Sequence, residues 1–261
     1  MITPVVQRWR ERRASYRPAG EVALVRDLDV ALSPYVAVQK AFVARHHYAA
    51  TSPSIVRGFD VFWRGTFAGV ALFSVCARRF APPCGEPGAW LTLGRFVLLD
   101  EVGANAETIV LGKCFRALRR EGYVGVVSFS DPHRRAALDG RVILPGHIGT
   151  IYQAHNGVYT GRSKSETKWL LPDGTLFETR AANKVKVGHQ GERYARRILE
   201  ANGADPLGLG EDPAAWVARW RAALCRRFLH GGNHRYLWTL DRRDRRHLPA
   251  SLPYPKIGAT S

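Results

Sequence analysis

The stretch WLTLGRFVLLDEVGANAETIVLGKCFRALRREGYVGVVSFSDP, residues 90–132, decides the fold. Its apolar beginning predicts a buried strand, the letters GAN predict a turn, and residues 106–122 predict a helix with a broad apolar face and Gly122 beyond its basic end. The run VGVVSFS predicts a second buried strand, parallel to the first. A strand–helix–strand crossover is right-handed and brings the two strand ends side by side. The stretch therefore predicts an α/β (α+β) fold in which helices flank a mixed sheet.

The residues that precede this unit predict two further elements. Residues 59–77 alternate apolar positions around Arg64-Gly65, which predicts a hairpin of two buried strands. Pro34 suits the first turn of a short helix that runs toward Ala44. These elements extend the predicted core toward the N-terminus.

The residues that follow the unit have a different pattern. KWLLPDGTLFETR predicts a hairpin with a Pro-Asp-Gly turn, GERYARRILEANG a short helix, and HRYLWTL a short strand. Asp212 predicts the N-cap of a longer helix that ends at Gly231. We expect three segments: a basic N-terminal arm at residues 1–20, a core at residues 21–160, and a basic C-terminal extension at residues 161–261 that packs on the core.

Charge is the most informative property of the composition. The chain has 39 Lys and Arg against 22 Asp and Glu, a formal net charge of +17. Such an excess predicts a polyanionic partner, because cations near phosphates release condensed counterions. The alternative is that the charge only keeps the protein in solution. We predict that nucleic acid is bound by five arginines of the C-terminal extension: Arg235, Arg242, Arg243, Arg245 and Arg246.

Several classes of protein are disfavoured by the sequence. No stretch approaches the roughly 20 apolar residues of a membrane-spanning helix, and the beginning of the chain lacks the apolar region of a secretory signal. The four cysteines lie far apart, without the C-x-x-C spacing of a zinc site or the density of a disulfide framework. The histidines lack metal-ligand spacing as well. We therefore expect a cytoplasmic protein with reduced thiols, no bound metal and no membrane partner.

Polar residues within and after the predicted core strands form a candidate site. Arg95 lies in an otherwise apolar strand, so it either faces solvent or needs a partner such as Asp131 or Glu107. Asp131 and Asn105 each follow the carboxyl end of a strand, where open α/β sheets bind ligands. Ser128 and Asp131 suit substrate hydrogen bonding or base chemistry. The alternative is that Asp131 only begins a turn.

Two stretches rich in histidine and tyrosine complete the candidate site. RHHY contains His47 and Tyr48 and precedes a loop, where a histidine could orient a base, act as a general base, or only cap the loop. PGHIGTIYQAHNGVYTG begins beside His147, and its glycines allow the backbone to approach a ligand closely. Tyr152 and Tyr159 could stack on a flipped base, and Gln153 or Asn156 could bond an adenine edge. The alternative is an ordinary strand and loop with core tyrosines.

These motifs, in this order, resemble the Mom family of phage DNA-modification proteins. The resemblance rests on His47-Tyr48, TLGRFVL around Arg95, Asn105 before a helix, VSFSDP, and GHIGTIYQA at residues 146–154. The last motif is the specific one. The resemblance implies a core similar to GNAT acetyltransferases. It also implies an enzyme that converts the N6 amino group of adenine in duplex DNA to a carbamoylmethyl or related acyl-type form, which protects DNA from restriction.

The resemblance implies roles for individual residues. Arg95, Ser128, Asp131 and Tyr152 would be catalytic: Arg95 and Asp131 would position the donor or the exocyclic amine, and Tyr152 would hold or protonate the reacting group. The substrate- and donor-binding residues would be His47, Tyr48, Asn105, His147 and Gln153. The turn EVGANAE lacks the glycine-rich pattern by which acetyltransferases bind the pyrophosphate of coenzyme A. The small-molecule donor is therefore open between acetyl-CoA and another activated glycyl or acyl compound.

Two other functions compete with DNA adenine modification. A GNAT-like N-acyltransferase acting on a protein or a small-molecule amine would explain the crossover unit but not the charge. A non-catalytic DNA-binding protein would explain the charge alone. A Mom-like adenine modifier explains the charge, the order of the motifs and GHIGTIYQA together.

Overall fold

The computed structural model describes residues 5–256 of the 261-residue chain, which form two compact units. The first unit runs to Pro132 and includes His147–Ser163 and the chain from Asn233 onward. The second unit consists of His133–Gly146 and Lys164–Gly232. This division departs from the predicted boundary at residue 160, because a strand from the C-terminal part returns to the sheet of the first unit.

Regular structure covers most of the described residues. The strands are β1 (Val5–Arg10), β2 (Arg13–Pro18), β3 (Leu28–Leu32), β4 (Arg57–Trp63), β5 (Thr66–Val75), β6 (Trp90–Leu98), β7 (Gly125–Ser130), β8 (Arg135–Ala136), β9 (Val142–Leu144), β10 (Val158–Arg162), β11 (Glu166–Leu170), β12 (Arg226–His230) and β13 (His234–Thr239). The α-helices are α1 (Val36–His46), α2 (Ala106–Arg120), α3 (Thr150–Ala154), α4 (Thr179–Lys186), α5 (Glu192–Glu200) and α6 (Pro213–Leu224). Short 3-10 helices lie at Val25–Asp27, Pro87–Ala89 and Arg242–His247.

A seven-stranded mixed sheet forms the first unit, in the order β10-β13-β7-β6-β5-β4-β3. β6 and β7 run parallel, as the crossover through α2 requires, and the other neighbours are antiparallel. The parallel pairing extends only from Trp90 opposite Gly125 to Leu93 opposite Ser128, although β6 continues to Leu98. The sheet therefore opens between β6 and β7 beyond Leu93.

Helices cover both faces of this sheet. Along β5, Val70 and Leu72 pack with Val43 of α1, whereas the alternate residue Phe73 belongs to the core that includes Leu111 of α2. This alternation follows from the two-residue period of a strand. Full burial of such side chains stabilises the fold by about 1.5–3 kcal/mol each. The predicted mixed α/β sheet flanked by helices is confirmed, as are the β4–β5 hairpin and the β6–α2–β7 crossover.

Residues 5–18, within the segment predicted to be an irregular arm, form two paired strands. β1 and β2 pair antiparallel, and the turn between them places Glu11 and Arg12 at positive φ. The Arg12 amide donates to the His46 carbonyl at 3.0 Å. Arg8 is only 2 % exposed, because its side chain turns into the unit and bonds the Val102 and Gly103 carbonyls.

The second unit has a hydrophobic core of its own. β11 pairs antiparallel with β12, and α4, α5 and α6 pack together. The buried core residues are Leu171, Phe177, Ala182, Val185, Ala195, Leu199, Ala204, Trp216 and Val217. Among the described residues of both units, no helix has the length and apolarity needed to span a bilayer.

One prediction for the second unit is wrong, and another is confirmed in part. The helix that begins after Asp212 ends at Leu224 instead of Gly231, because the next residues form β12 and pair with β11. The Pro-Asp-Gly turn predicted in KWLLPDGTLFETR forms, with the Gly174 amide donating to the Leu171 carbonyl at 2.9 Å, but the pairing beyond it is limited to one bridge, Leu170 to Leu176. The predicted N-cap is confirmed: the Asp212 carboxylate accepts from the Ala214 and Ala215 amides at 3.1 Å.

Candidate functional site

Arg95 lies on β6 where the sheet opens. The pairing of β5 with β6 shifts register between Leu72 and Phe73, so Gly94 is left unpaired in a bulge next to Arg95, which lies opposite Leu72. The half-buried guanidinium donates from Nε to the Thr51 carbonyl at 2.6 Å and from Nη1 to the Gly94 carbonyl at 2.6 Å. Burial lowers the pKa of Arg95, while Tyr48 and Tyr152 act in the opposite direction. A guanidinium stays protonated in proteins, so the opening holds a fixed positive charge.

Of the two partners expected for Arg95, Asp131 and Glu107, the structure excludes Glu107. Glu107 does not pair with Arg95; it forms a salt bridge with Arg8, at the start of α2. Arg8 and Glu107 are separated by 99 residues, and their approach depends on the docking of β1.

Ser128 and Tyr152 form a hydrogen-bonded pair beside this charge. The Ser128 hydroxyl donates to the Leu93 carbonyl at 3.1 Å, at the last paired position of β6 and β7. Ser128 also hydrogen bonds with the Tyr152 side chain, and both residues are buried. Burial raises the pKa of Tyr152, opposed in part by Ser128 and Arg95. Tyr152 is therefore a neutral phenol near neutral pH, which suits it to donate a proton or a hydrogen bond.

Gly149 allows Tyr152 to take this position. Its φ of +77° belongs to the left-handed region, and a Cβ there would lie 2.8 Å from ring atoms of both Tyr152 and Tyr236. Only glycine fits such a conformation and such a close approach. α3 starts at the next residue, and the His147 amide just before it donates to the Asp131 carbonyl at 2.8 Å. The GHIGTIYQA motif thus lies against the end of β7.

His47 and Tyr48 form an aromatic cluster on the same side as Arg95. Their ring centroids are 4.1 Å apart, and the Tyr48 ring lies 6.4 Å from His147 and 4.9 Å from Trp9. The His47 Nδ1 accepts from the Ala49 amide at 3.1 Å. Burial lowers the pKa of His47 well below 6.5, and electrostatic interactions with Arg95 and His147 lower it further. His47 is therefore neutral at neutral pH.

The predicted site residues fall into two groups. Contacts or electrostatic interactions connect seven of them at the opening: His47, Tyr48, Arg95, Ser128, Asp131, His147 and Tyr152. Gln153 is directed elsewhere, since its Nε2 donates to Ile148 O at 3.2 Å, to Tyr236 Oη at 3.2 Å and to Pro255 O at 3.3 Å. Its amide donors are thus engaged within the protein.

Asn105 is the other predicted residue outside the cluster. It is exposed at the N-cap of α2 with φ +63°, and its side chain makes no capping hydrogen bond. The preceding residue, Ala104, exchanges backbone hydrogen bonds with Glu21 and Ala23 at 2.8 and 2.9 Å. In the part of the chain that the structure describes, no hydrogen bond or ring contact joins Asn105 to the cluster at the opening.

The turn before α2 does not fit a coenzyme A pyrophosphate. Acyl-CoA donors are held by free amides at a helix N-terminus. Here the buried Glu107 carboxylate already occupies the first turn of α2, where it accepts from its own backbone amide and from Arg8. Burial raises the pKa of Glu107, and Arg8 partly offsets that effect. We therefore assign no step to an acyl-CoA bound at this turn. Among the described residues, no group of three or more His, Cys, Asp or Glu side chains is placed to hold a metal ion.

The arginines predicted to bind DNA differ in their availability. Arg242, Arg243, Arg245 and Arg246 are exposed on the 3-10 helix Arg242–His247. Arg243 pairs with Asp241 at 3.1 Å, and the Arg246 Nε lies 3.3 Å from His247 Nε2. Arg235 is half-buried on β13, where its Nε donates to the Thr160 hydroxyl at 2.7 Å.

Two contributors to the site were missed in the sequence. Trp9 packs on Tyr48 from β1, within the segment expected to be an arm, and the Thr51 carbonyl anchors Arg95. The alternating aromatic and basic residues of VVQRWR could have indicated a strand. No sequence signal marks the carbonyl of Thr51 as a ligand for Arg95, because every residue carries one.

The fold and the site together define a mixed α/β protein with a cationic, tyrosine-containing cluster at an opening of its sheet. The model of the Mom protein family matches residues 33–211, which is more than half of the chain, and the chain belongs to this family. No curated protein sequence matches the chain. Among solved structures, it is similar to a tandem GNAT protein from the clavulanic acid biosynthesis pathway, determined without acetyl-CoA, at 10% identity and a TM-score of 0.35. That match covers 74% of this chain and 64% of the other, less than two thirds of its length.

Proposed function

We propose that this protein is a DNA-modifying transferase that alters the N6 amino group of adenine, by carbamoylmethylation or a related acyl-type modification, and so protects DNA from restriction. The observation that carries the proposal is the Arg95–Tyr152–Ser128 cluster at the opening between β6 and β7 of a Mom family chain. The net charge of +17 supports a polyanionic substrate.

The cluster supplies what transfer to an exocyclic amine requires. A new bond forms between N6 of adenine and a carbon of the donor, the bond from that carbon to its leaving group breaks, and N6 loses a proton. In our proposal Asp131 and Arg95 position the amine and the donor, and Asp131 accepts the proton. Arg95 also stabilises negative charge that develops on the donor, and the neutral Tyr152 donates a proton or hydrogen bond to the reacting group.

An adenine in duplex DNA reaches such a buried cluster only after it leaves the base stack. Enzymes that act on bases flip the target nucleotide and hold it against aromatic side chains. The rings of Trp9, Tyr48 and His47 lie together beside Arg95 and could hold a flipped base. Because His47 stays neutral, it adds no further positive charge there. In this proposal the donor is an activated glycyl or other acyl compound that does not require a pyrophosphate-binding site at the N-terminus of α2.

The test is mass spectrometry of nucleosides from DNA of cells that express the protein. We expect a modified adenosine with the wild-type chain and none with Asp131→Ala, while DNA affinity is largely retained. Asp29→Ala is the matched control, since Asp29 is exposed on β3, away from the opening.

Three outcomes would contradict the proposal. Unmodified adenosine together with an acylated peptide or small amine would indicate an N-acyltransferase. DNA binding without any modified nucleoside or acylated product would indicate a DNA-binding protein. Retained modification by Asp131→Ala would remove Asp131 from the catalytic residues.

A further inference from the structure

We propose that the basic face of α4 and α5, in the second unit, binds the phosphate backbone of DNA. We define this basic face by four residues: Arg180, Lys186, Arg193 and Arg197. The inference rests on the proposed function, in which duplex DNA is the substrate. It assigns DNA contact to a surface distinct from the predicted tail arginines and from the catalytic cluster of the first unit.

The buried positions of the two helices determine which of their side chains are exposed. α4 buries Ala182 and Val185, and α5 buries Ala195 and Leu199, all in the core of the second unit. The helical period then turns the remaining positions away from that core. The four residues of the basic face are all exposed.

The charges of the basic face are not neutralised within the protein. Across residues 5–256, none of its four side chains forms an ion pair or a hydrogen bond, whereas neighbouring cations are paired: Arg196 with Glu192 at 3.0 Å and Lys168 with Glu178 at 3.2 Å. Arg193 and Arg197 are also four positions apart on one helix, a spacing at which like charges repel each other. A polyanion bound to this face would offset that repulsion.

The residues between the charges suit a sugar–phosphate backbone. Tyr194 is 56% exposed next to Arg193, and the turn from Val187 to Gly191 is exposed as well. Arginine, lysine and tyrosine side chains are frequent donors to phosphate oxygens, and such contacts position a protein on DNA without reading its sequence. Exposed apolar side chains are limited here to Val187 and the Tyr194 ring, so the face lacks the apolar stripe that membrane-binding helices need.

The experiment compares DNA binding by two double variants over a range of salt concentrations. R193Q/R197Q removes two charges of the basic face. R141Q/R219Q is the matched control, because both arginines lie in the same unit, are 58% and 56% exposed, and are paired with Asp139 and Glu211. Affinity for a duplex oligonucleotide is measured by fluorescence anisotropy, and thermal unfolding verifies that each variant is folded.

We expect R193Q/R197Q to reduce the slope of log affinity against log salt by about 2, one unit for each lost phosphate contact. The control should leave the slope unchanged. At saturating DNA the modification rate of R193Q/R197Q should equal that of the wild type, while the DNA concentration for half-maximal rate increases.

Several results would overturn the inference. Equal changes in both variants would mean that only net charge matters, and no change in either would mean that the face is only solvated. Loss of binding to anionic phosphatidylserine vesicles by R193Q/R197Q, with DNA binding intact, would indicate a membrane-binding surface.

A second variant is available if R193Q/R197Q fails to fold: R180Q/K186Q on α4 gives the same test. The anisotropy assay measures DNA binding and does not require adenine modification. An absence of modified adenosine would therefore contradict the proposed function without changing the outcome of the binding test.

Discussion

At the scale of single residues, the Tyr152 hydroxyl is the group whose proposed catalytic role can be tested most directly. It is buried, its pKa is raised by burial, and it is bonded to Ser128. We expect Tyr152→Phe to reduce adenine modification at least about 100-fold, the scale of general acid catalysis, and to lower the free energy of unfolding by only about 1 kcal/mol for the lost hydrogen bond. Nucleoside mass spectrometry and urea denaturation measure the two effects.

Tyr159→Phe is the matched control for this prediction. Tyr159 is equally buried, and its hydroxyl is bonded to His234 Nδ1 at 2.7 Å instead of to the cluster. We expect a similar loss of stability with little change in modification. Equal losses of modification in both variants would mean that Tyr152 acts through the fold and not through its hydroxyl.

His47 makes stability depend on pH. Its pKa in the folded state lies well below 6.5, so between that depressed value and 6.5 the unfolded chain binds more protons than the folded one. The stabilisation is complete above about pH 6.5 and is lost as the pH falls below it. The asparagine oxygen of His47→Asn can still accept from the Ala49 amide. We therefore expect the stability of this variant to decrease less than that of the wild type as the pH falls.

The measurement is the melting temperature of each protein between about pH 5 and pH 7.5, across the usual histidine range. His247→Asn is the control, because His247 is exposed. A melting curve for His47→Asn that falls as steeply with acid as the wild type would exclude His47 as the source.

The candidate site was only partly predictable from its residues. Arg95 and Tyr152 could be proposed because a charge in an apolar strand and a tyrosine among glycines are unusual in sequence. Their neighbours Trp9 and Thr51 could not be found, since they reach the cluster through the docking of β1 and through a backbone carbonyl. Gln153 was assigned to the site on residue type, but its donors are used by protein acceptors.

At the scale of elements, the start of α2 is fixed by the buried pair of Arg8 and Glu107. Their side chains are 2% and 13% exposed. Removing one partner of a buried pair leaves a charge without compensation, which costs about 3–5 kcal/mol. We expect Glu107→Ala to lower the free energy of unfolding by about 3 kcal/mol, measured by urea denaturation.

Glu121→Ala serves as the control for this prediction. Glu121 pairs with Arg57 near the end of α2, but these side chains are 28% and 35% exposed. Solvent screens such a pair, so we expect a loss of about 1 kcal/mol or less. Equal losses in both variants would show that the pair with Arg8 does not anchor α2.

The errors in predicted elements share one physical cause. α2 and the β4–β5 hairpin were predictable because local periodicity and a short turn specify them. The region after Leu224 was assigned to a helix, whereas β12 forms through pairing with β11, which is about 60 residues away in sequence. Such pairing is not encoded in the local pattern of either strand.

The division of the whole molecule into two units also depends on pairing between distant parts of the chain. β13 enters the sheet between β10 and β7, and residues 133–146 leave the first unit for the second. A boundary placed by composition at residue 160 could not anticipate these returns, because they depend on contacts between distant parts of the chain.

At the scale of the whole molecule, the net charge of +17 predicts that DNA affinity depends steeply on salt. The tail should contribute through Arg242 and Arg245, which are exposed, more than through Arg243, which is paired with Asp241. We expect R242Q/R245Q to reduce the slope of log affinity against log salt by about 2. Neutralising Arg246 as well should reduce this slope further.

Combining this change with R193Q/R197Q tests whether both units contact the same duplex. Independent contacts contribute additively, so the quadruple variant should lose about 4 units of slope, measured by anisotropy over a salt series. A combined loss no greater than that of either pair would mean that the two surfaces compete for one stretch of phosphates. An unchanged slope for R242Q/R245Q would show that the tail is a solvated surface. In that case DNA affinity would depend on the second unit, and on residues of the first unit outside the 3-10 helix at Arg242–His247.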